Sequence, residues 1–188
     1  MRKNNNLQNS YHDQKGVSVM FKALIVSDSH GLTKELEEIK NSHKVDFMIH
    51  CGDSELDMDA DELEGFYKVA GNCDFDNRYP NEQLLELSGL NLLMLHGHFH
   101  QVKQNLNTLT NYTRNSNVSV ICYGHSHVAK VTQIENQLFI NPGSIYNPKG
   151  IKEKTYAIIE WDSPKEIQVK FYDLKGNHLE KLSYKASI

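Results

Sequence analysis

Phe21-Lys22-Ala23-Leu24-Ile25-Val26-Ser27-Asp28-Ser29-His30 is the stretch from which the rest of the chain can be read. Its apolar half is short and rich in branched side chains. It stops abruptly at a polar cluster, as a buried strand does when its C-terminal end meets a site. After Gly31, Thr33 can cap a helix in which Leu32, Leu36 and Ile39 recur at helical spacing, so the first unit reads strand, loop, helix. The same punctuation recurs down the chain. Apolar runs at residues 47–51, 66–70, 92–95 and 118–123 halt at Gly52-Asp53, Gly71-Asn72, His96 and Gly124-His125.

Between His98 and Asn117 the positions Val102, Leu106, Leu109 and Tyr112 follow a helical period and predict a helix crossing a sheet. From Val128 onward the pattern changes to period-two runs at residues 128–134, 138–140, 155–161 and 167–173, followed by the Lys175-Gly176-Asn177 turn. That third of the chain is expected to be β-rich and antiparallel. Alternating strands and helices followed by hairpins predict an α/β fold: a four-layer α/β/β/α sandwich of two mixed sheets flanked by helices.

A chain of 188 residues supports one full core, so a single domain is expected over residues 20–188. Residues 1–19 are rich in Asn and Gln and lack the apolar run of a secretory signal. Because Met20 directly precedes the first strand, they are expected to be a disordered N-terminal extension or the product of an upstream start. A formal net charge of −4 argues against a basic nucleic-acid footprint and favours small substrates. No apolar run reaches transmembrane length, so no membrane partner is expected. The three cysteines match neither a zinc ribbon nor a disulfide framework, which points to a reducing, cytoplasmic setting. Cys51 and Cys122 lie within apolar runs and read as core. Ten histidines, most of them between His30 and His127, are the unusual count.

Strand ends that share one sheet edge bring their residues together. Asp28-Ser29-His30 can turn a carboxylate and an imidazole to one side of an extended loop. Gly52-Asp53 adds a carboxylate whose two oxygens can bridge two cations, after a glycine that permits close backbone approach. Asn72 offers a neutral hard oxygen, and His96-Gly97-His98 and Gly124-His125-Ser126-His127 add imidazoles. Two carboxylates, one amide and at least three imidazoles exceed one tetrahedral zinc and suit a dinuclear centre sharing Asp53.

Taken in order, Asp28-x-His30, Gly52-Asp53, Gly71-Asn72-x-Asp74, His96-Gly97-His98 and Gly124-His125-x-His127 resemble the motifs of the calcineurin-like metallophosphoesterase superfamily. The short length, Gly-Asn-Cys-Asp and Asn141-Pro142-Gly143-Ser144 resemble its small bacterial and archaeal phosphodiesterase subgroup, with the match running from Phe21 to about the C-terminus. The resemblance implies a metal-dependent phosphodiesterase or phosphatase acting on small phosphate esters. Hydrolysis would proceed by attack of a hydroxide bridging two divalent ions about 3.5–4 Å apart. It assigns Asp28, His30 and His127 to one ion and Asn72, His96 and His125 to the other, with Asp53 shared. Asp74 and His98 stand behind them, His98 being the alternative to His96 as a ligand. The ions implied are Mn, Ni, Fe, Co or Zn, with Mn favoured. Asp53 and Asn72 are the implied catalytic residues, with Cys73 at the position of the leaving-group acid.

Cys73 departs from the pattern. Larger members carry a histidine there, placed to donate a proton to the leaving oxygen, and a thiol is a weak donor. Ser29 and Ser126 need not act as nucleophiles. The retromer subunit, a protein-binding scaffold, resembles the same fold and supplies the rival reading; there the bridging carboxylate is Asn and the third-motif Asn is Asp, whereas this chain keeps Asp53 and Asn72. Exposed hairpin edges make a homodimer or higher homo-oligomer the expected assembly. His43, His50, His100 and His178 read as structural or solvated, the acidic run at residues 55–64 as a solvated loop or helix, and residues 141–144 as a turn that only the resemblance places beside the site.

Overall fold

A computed structural model describes residues 19–188, so the expectation for residues 1–19 falls, Val19 apart, outside the described residues. In chain order the first half comprises β1 (Phe21–Val26), α1 (Thr33–Ser42), β2 (Phe47–His50), β3 (Phe66–Lys68), β4 (Glu82–Leu87) and β5 (Leu90–Leu95). The second half comprises α2 (Asn107–Thr113), β6 (Val120–Cys122), β7 (Lys130–Ile134), β8 (Gln137–Asn141), β9 (Thr155–Ser163), β10 (Glu166–Asp173) and β11 (Tyr184–Ser187).

Two mixed sheets result. One has the order β11-β10-β9-β1-β2-β3, the other β4-β5-β6-β8-β7. In the first, β1 pairs parallel with β2 and antiparallel with β9. In the second, β6 lies parallel to both β5 and β8, while the β4–β5 and β7–β8 pairs are antiparallel. The C-terminal strands are therefore antiparallel to their hairpin partners, but β8 also joins the parallel centre of its sheet.

β1 shows no alternation because both of its faces are covered. Ala23 and Ile25 face the core between the sheets, where they join Ile49, Leu92, Met94, Val120, Ile140 and Trp161. Leu24 and Val26 face outward onto Leu36 and Ile39 of α1. The outer face of the second sheet packs Leu93, Leu95, Ile121 and Phe139 against Leu109 of α2 and Val102. Each fully buried aliphatic side chain contributes roughly 1.5–3 kcal/mol. Helix, sheet, sheet and helix form the expected four layers. Among the described residues no helix is long and apolar enough to cross a membrane.

Two local expectations are corrected, and two strands are added. Thr33 is the first helical residue rather than the cap, and the N-cap is Leu32, which makes no side-chain capping bond. The helix expected between His98 and Asn117 is a 3₁₀ turn, His98–His100, followed by the seven-residue α2. Left-handed backbone at Gly97 (φ 98°) and Gln101 (φ 55°) breaks the segment, yet Val102 still reaches the outer core. Its apolar spacing recorded burial without a continuous helix. Strands β4 and β11 escaped the sequence reading because β4 (EQLLEL) interleaves acidic residues and β11 (YKAS) buries only Ala186.

Candidate metal centre

The strand ends meet as loops pinned to one another. Asp28 donates its N–H to the Gly52 carbonyl (3.0 Å), His30 to Asp53 O (3.0 Å), Gly31 to Ser54 O (2.8 Å) and Gly124 to His96 O (3.1 Å). Held this way, Asp28 (φ 54°), His30 (45°), Asp53 (53°), His125 (62°) and His127 (58°) all adopt left-handed backbone. Only a few per cent of non-glycine residues do so, at a cost of roughly 1–3 kcal/mol each, and such strain collects at functional sites. Gly124 is required by close approach: a Cβ there would strike Ser27 Oγ and come within 2.7 Å of Asp28 Oδ2. At Gly71 a Cβ would collide with the Asp53 carboxylate and backbone nitrogen.

Each acid divides its oxygens between anchoring and presentation. Asp28 Oδ2 accepts the Ser27 hydroxyl (2.6 Å) and the His125 N–H (3.1 Å). Its Oδ1 is buried with no hydrogen-bond partner. Asp53 Oδ1 accepts the Cys73 N–H at 2.7 Å, while Oδ2 lies 3.2 Å from His96 Nε2 and 3.9 Å from His30 Nε2. The imidazoles show the same division. His96 donates Nδ1–H to Cys51 O (2.7 Å) and His127 to Asn147 O (2.8 Å), and His30 Nδ1 pairs with Glu55 Oε1 (2.6 Å). With Nδ1 protonated, a neutral ring points its Nε2 lone pair at a carboxylate: His127 Nε2 is 3.1 Å from Asp28 Oδ1. Two lone pairs in contact repel unless a cation or proton lies between them.

Three groups offer atoms within 4.8 Å of one another among the described residues: Asp28/His30/His127, Asp53/His96/His125, and a more exposed one, His30/Glu55/Cys73, that shares His30 with the first. His96 Nε2, like Asp28 Oδ1, is buried without a hydrogen-bond partner. A buried unpaired polar atom costs about 1–3 kcal/mol, so these residues fit divalent cations.

The electrostatics agree. Burial disfavours the charged form of His96, but Asp53 and Asp28 outweigh it and raise its pKa. The Asp28 carboxylate beside it raises that of His127. Burial resists ionisation of Asp53, yet His96 and the Cys73 N–H hold its carboxyl well below the usual range. Burial, then His96, pushes His125 down to about 4, leaving it a neutral donor at neutral pH. Burial and the Asp53 charge push the Cys73 thiol up to about 11.

The remaining candidates lie around these groups. Asn72 is exposed and its amide donates to Cys73 Sγ at 3.2 Å. Asp74 accepts the N–H groups of Asp53 (2.8 Å), Gly71 (2.7 Å) and Glu55 (2.7 Å) and the Ser54 hydroxyl (3.0 Å), fixing the loop that presents Asp53. His98 stands outside both groups, with its ring 5.5 Å from His96 and 6.0 Å from His125. His50 is buried; its Nε2 pairs with Ser29 Oγ (2.9 Å) and its Nδ1 accepts the Gly52 N–H (3.3 Å), which makes it a brace between loops. In the turn at 141–144, Asn141 donates to Gly124 O (2.8 Å) and Ser126 Oγ (3.0 Å), and Ser144 donates to Asp28 O (2.8 Å). Glu55 was missed. Its signal was there, two residues beyond Asp53, but it opens an acidic run that reads as solvated.

A family model described as the calcineurin-like phosphoesterase superfamily domain matches residues 21–164. The chain belongs to that superfamily. Among the superfamily's relatives, the probable metallophosphoesterase YsnB of Bacillus subtilis is 41% identical over 167 residues, covering 88% of this chain and 98% of its own. A conserved uncharacterized protein of Streptococcus pneumoniae, described as a predicted phosphoesterase, superposes with a TM-score of 0.85 at 33% identity, covering 90% of this chain and 99% of its own. Vacuolar protein sorting 29 of Cryptosporidium parvum shares the fold at a TM-score of 0.70 and 15% identity, over 90% of this chain and 98% of its own.

Proposed function

We propose that this calcineurin-like phosphoesterase is a phosphodiesterase or phosphatase that works with two divalent ions, Mn favoured. The observation carrying the proposal is the pair of facing donor groups, with Asp28 Oδ1 and His96 Nε2 buried and unpartnered between them. Asp28, His30 and His127 would hold one ion and Asn72, His96 and His125 the other. The two approaches of Asp53 Oδ2, toward His96 in one group and His30 in the other, support Asp53 as the shared ligand. When bound, such a pair supplies a nucleophile by lowering the pKa of water and neutralises the phosphoryl oxygens of an in-line displacement.

The chain's own part is positioning. Asp74 and Asn141 fix the loops, and the three Nδ1 bonds fix the tautomers and leave Nε2 free. Cys73 is a protonated but weak donor, so the site lacks a strong acid for the leaving oxygen. Substrates with good leaving groups therefore turn over best. The test is a panel of aryl phosphodiesters of graded leaving-group pKa, assayed with metal-loaded and chelated full-length protein. Metal-dependent hydrolysis that slows as the leaving group becomes more basic is expected; no hydrolysis of mono- or diesters with metal bound would sink the proposal. The rival scaffold reading has only the fold likeness to vacuolar protein sorting 29 behind it, and retention of Asp53 and Asn72 speaks for catalysis.

A further inference from the structure

Tyr146 and Phe99 are exposed, at 49% and 67%; Tyr146 packs on His30 of the candidate metal centre and Phe99 on its neighbour His98, which stands beside that centre. The Tyr146 ring lies 5.2 Å from that of His30, itself 5.5 Å from His127. At the other end, the Phe99 ring packs 3.9 Å from His98, whose ring is 6.0 Å from His125 and 5.5 Å from His96. Tyr146 thus borders the Asp28/His30/His127 group, and Phe99 lies one ring beyond the Asp53/His96/His125 group, with His98 between.

Both are placed by the bonds that place the donors. Tyr146 donates its N–H to Ser144 Oγ (3.1 Å), and that hydroxyl donates to Asp28 O (2.8 Å). Phe99 sits in the 3₁₀ turn that begins two residues after His96, closed by His100 N–H to Gly97 O at 3.0 Å. A third aromatic, Phe75, is 96% exposed on the loop that carries Asn72 and Asp74. Leaving apolar rings in water forgoes the gain of burying them, and ligand sites surround a few convergent polar groups with aromatic side chains.

We propose that Tyr146 and Phe99 are the substrate-recognition residues of this site, one for each arm of a phosphodiester. The substrate class is then a diester bearing a flat aromatic group, an aryl alcohol or a nucleobase, on at least one arm. This rests on the phosphoesterase reading for the place of the phosphate. Two organic arms diverge from a diester phosphorus, and the two rings are reached through different donor groups, Tyr146 through His30 and Phe99 through His98 from His96 and His125. An alkyl arm offers no flat face to stack on them, whereas any aryl group or base does.

The test is a binding measurement that needs no turnover. Full-length chain loaded with Mn²⁺ is titrated calorimetrically with phenylphosphonate and with methylphosphonate, whose C–P bonds are not hydrolysed. The wild-type chain is expected to bind the phenyl compound at least about tenfold tighter. Phe99→Ala and Tyr146→Ala, both at exposed positions, should each lower the phenyl-to-methyl ratio, and the double variant should bring it near one. A wild-type ratio near one, undetectable binding of phenylphosphonate, or a ratio unchanged in the double variant overturns the proposal. An intact ratio in a chain that hydrolyses no ester supports aromatic recognition while contradicting the phosphoesterase reading, so the two fail separately.

Discussion

Asp28 Oδ1 and His96 Nε2 face each other at 3.9 Å, both side chains buried and neither atom hydrogen-bonded. One comes from the loop after β1, the other from the end of β5, so the two sheets meet at this pair. A carboxylate oxygen and an imidazole nitrogen left this way destabilise the apoprotein, and a cation that satisfies them is linked to folding.

Metal binding should therefore raise thermal stability. At a free Mn²⁺ concentration of about a hundred times Kd, the linkage contributes roughly 2.7 kcal/mol, or about 5–10 °C in Tm for a chain of this size. Scanning calorimetry with Mn²⁺ and with EDTA checks this; coincident transitions would count against a folded-state metal site.

Glu55 is the side-chain partner that orients His30, with Oε1 2.6 Å from Nδ1. Partners of this kind fix the tautomer and raise ligand basicity, and losing one costs about 10–100-fold in metal affinity. Glu55→Gln should weaken binding by that order, as read by metal titration, with little change in apoprotein Tm because the side chain is 39% exposed. An unchanged affinity would make Glu55 a surface residue only.

Gly124→Ala should be severe, since its Cβ would occupy the place of Ser27 Oγ and crowd the Asp28 carboxylate. Overpacking costs typically 1–3 kcal/mol, and here the displaced atoms include a metal-ligand candidate. Denaturant melts should show that loss together with reduced metal content. Gly89→Ala supplies a comparison where a Cβ meets nothing within 4 Å; its φ of 83° limits the effect to backbone strain.

His50 gives the apoprotein a pH signature. Burial pushes it down to about 4. The unfolded chain takes up this proton first, near pH 6.5, so the stability from neutral His50 is whole above about 6.5 and is lost progressively as pH falls toward 4. The loss amounts to about 3 kcal/mol. In His50→Gln, the slope of stability against pH over that window should flatten, and equal slopes in the two chains would show that His50 does not set it.

The sequence made the fold and the donors legible for one reason: polar residues were conspicuous where apolar strands stopped. Asp28, Asp53, His96 and His125 each follow such a run, and topology then had to bring them to one edge. The partners of the histidines were less visible. Cys51 and Asn147 contribute backbone carbonyls, which carry no side-chain signature, and Glu55 was hidden among acids. The broken segment after His98 was misread because burial of Val102 and Leu109 mimics helical periodicity, while the left-handed Gln101 that interrupts it has no sequence marker. Strand β4 depends on pairing with β5 rather than on its own pattern.

The shared role of Asp53 is the centre of the account, and metal stoichiometry with hydrolysis in Asp53→Asn tests it most directly. The wild-type chain should hold two ions and hydrolyse a bis-aryl phosphodiester. Asp53→Asn should hold at most one firmly and lose activity by three orders of magnitude or more, about 4 kcal/mol of transition-state stabilisation. Two tightly held ions with substantial hydrolysis in Asp53→Asn would contradict it.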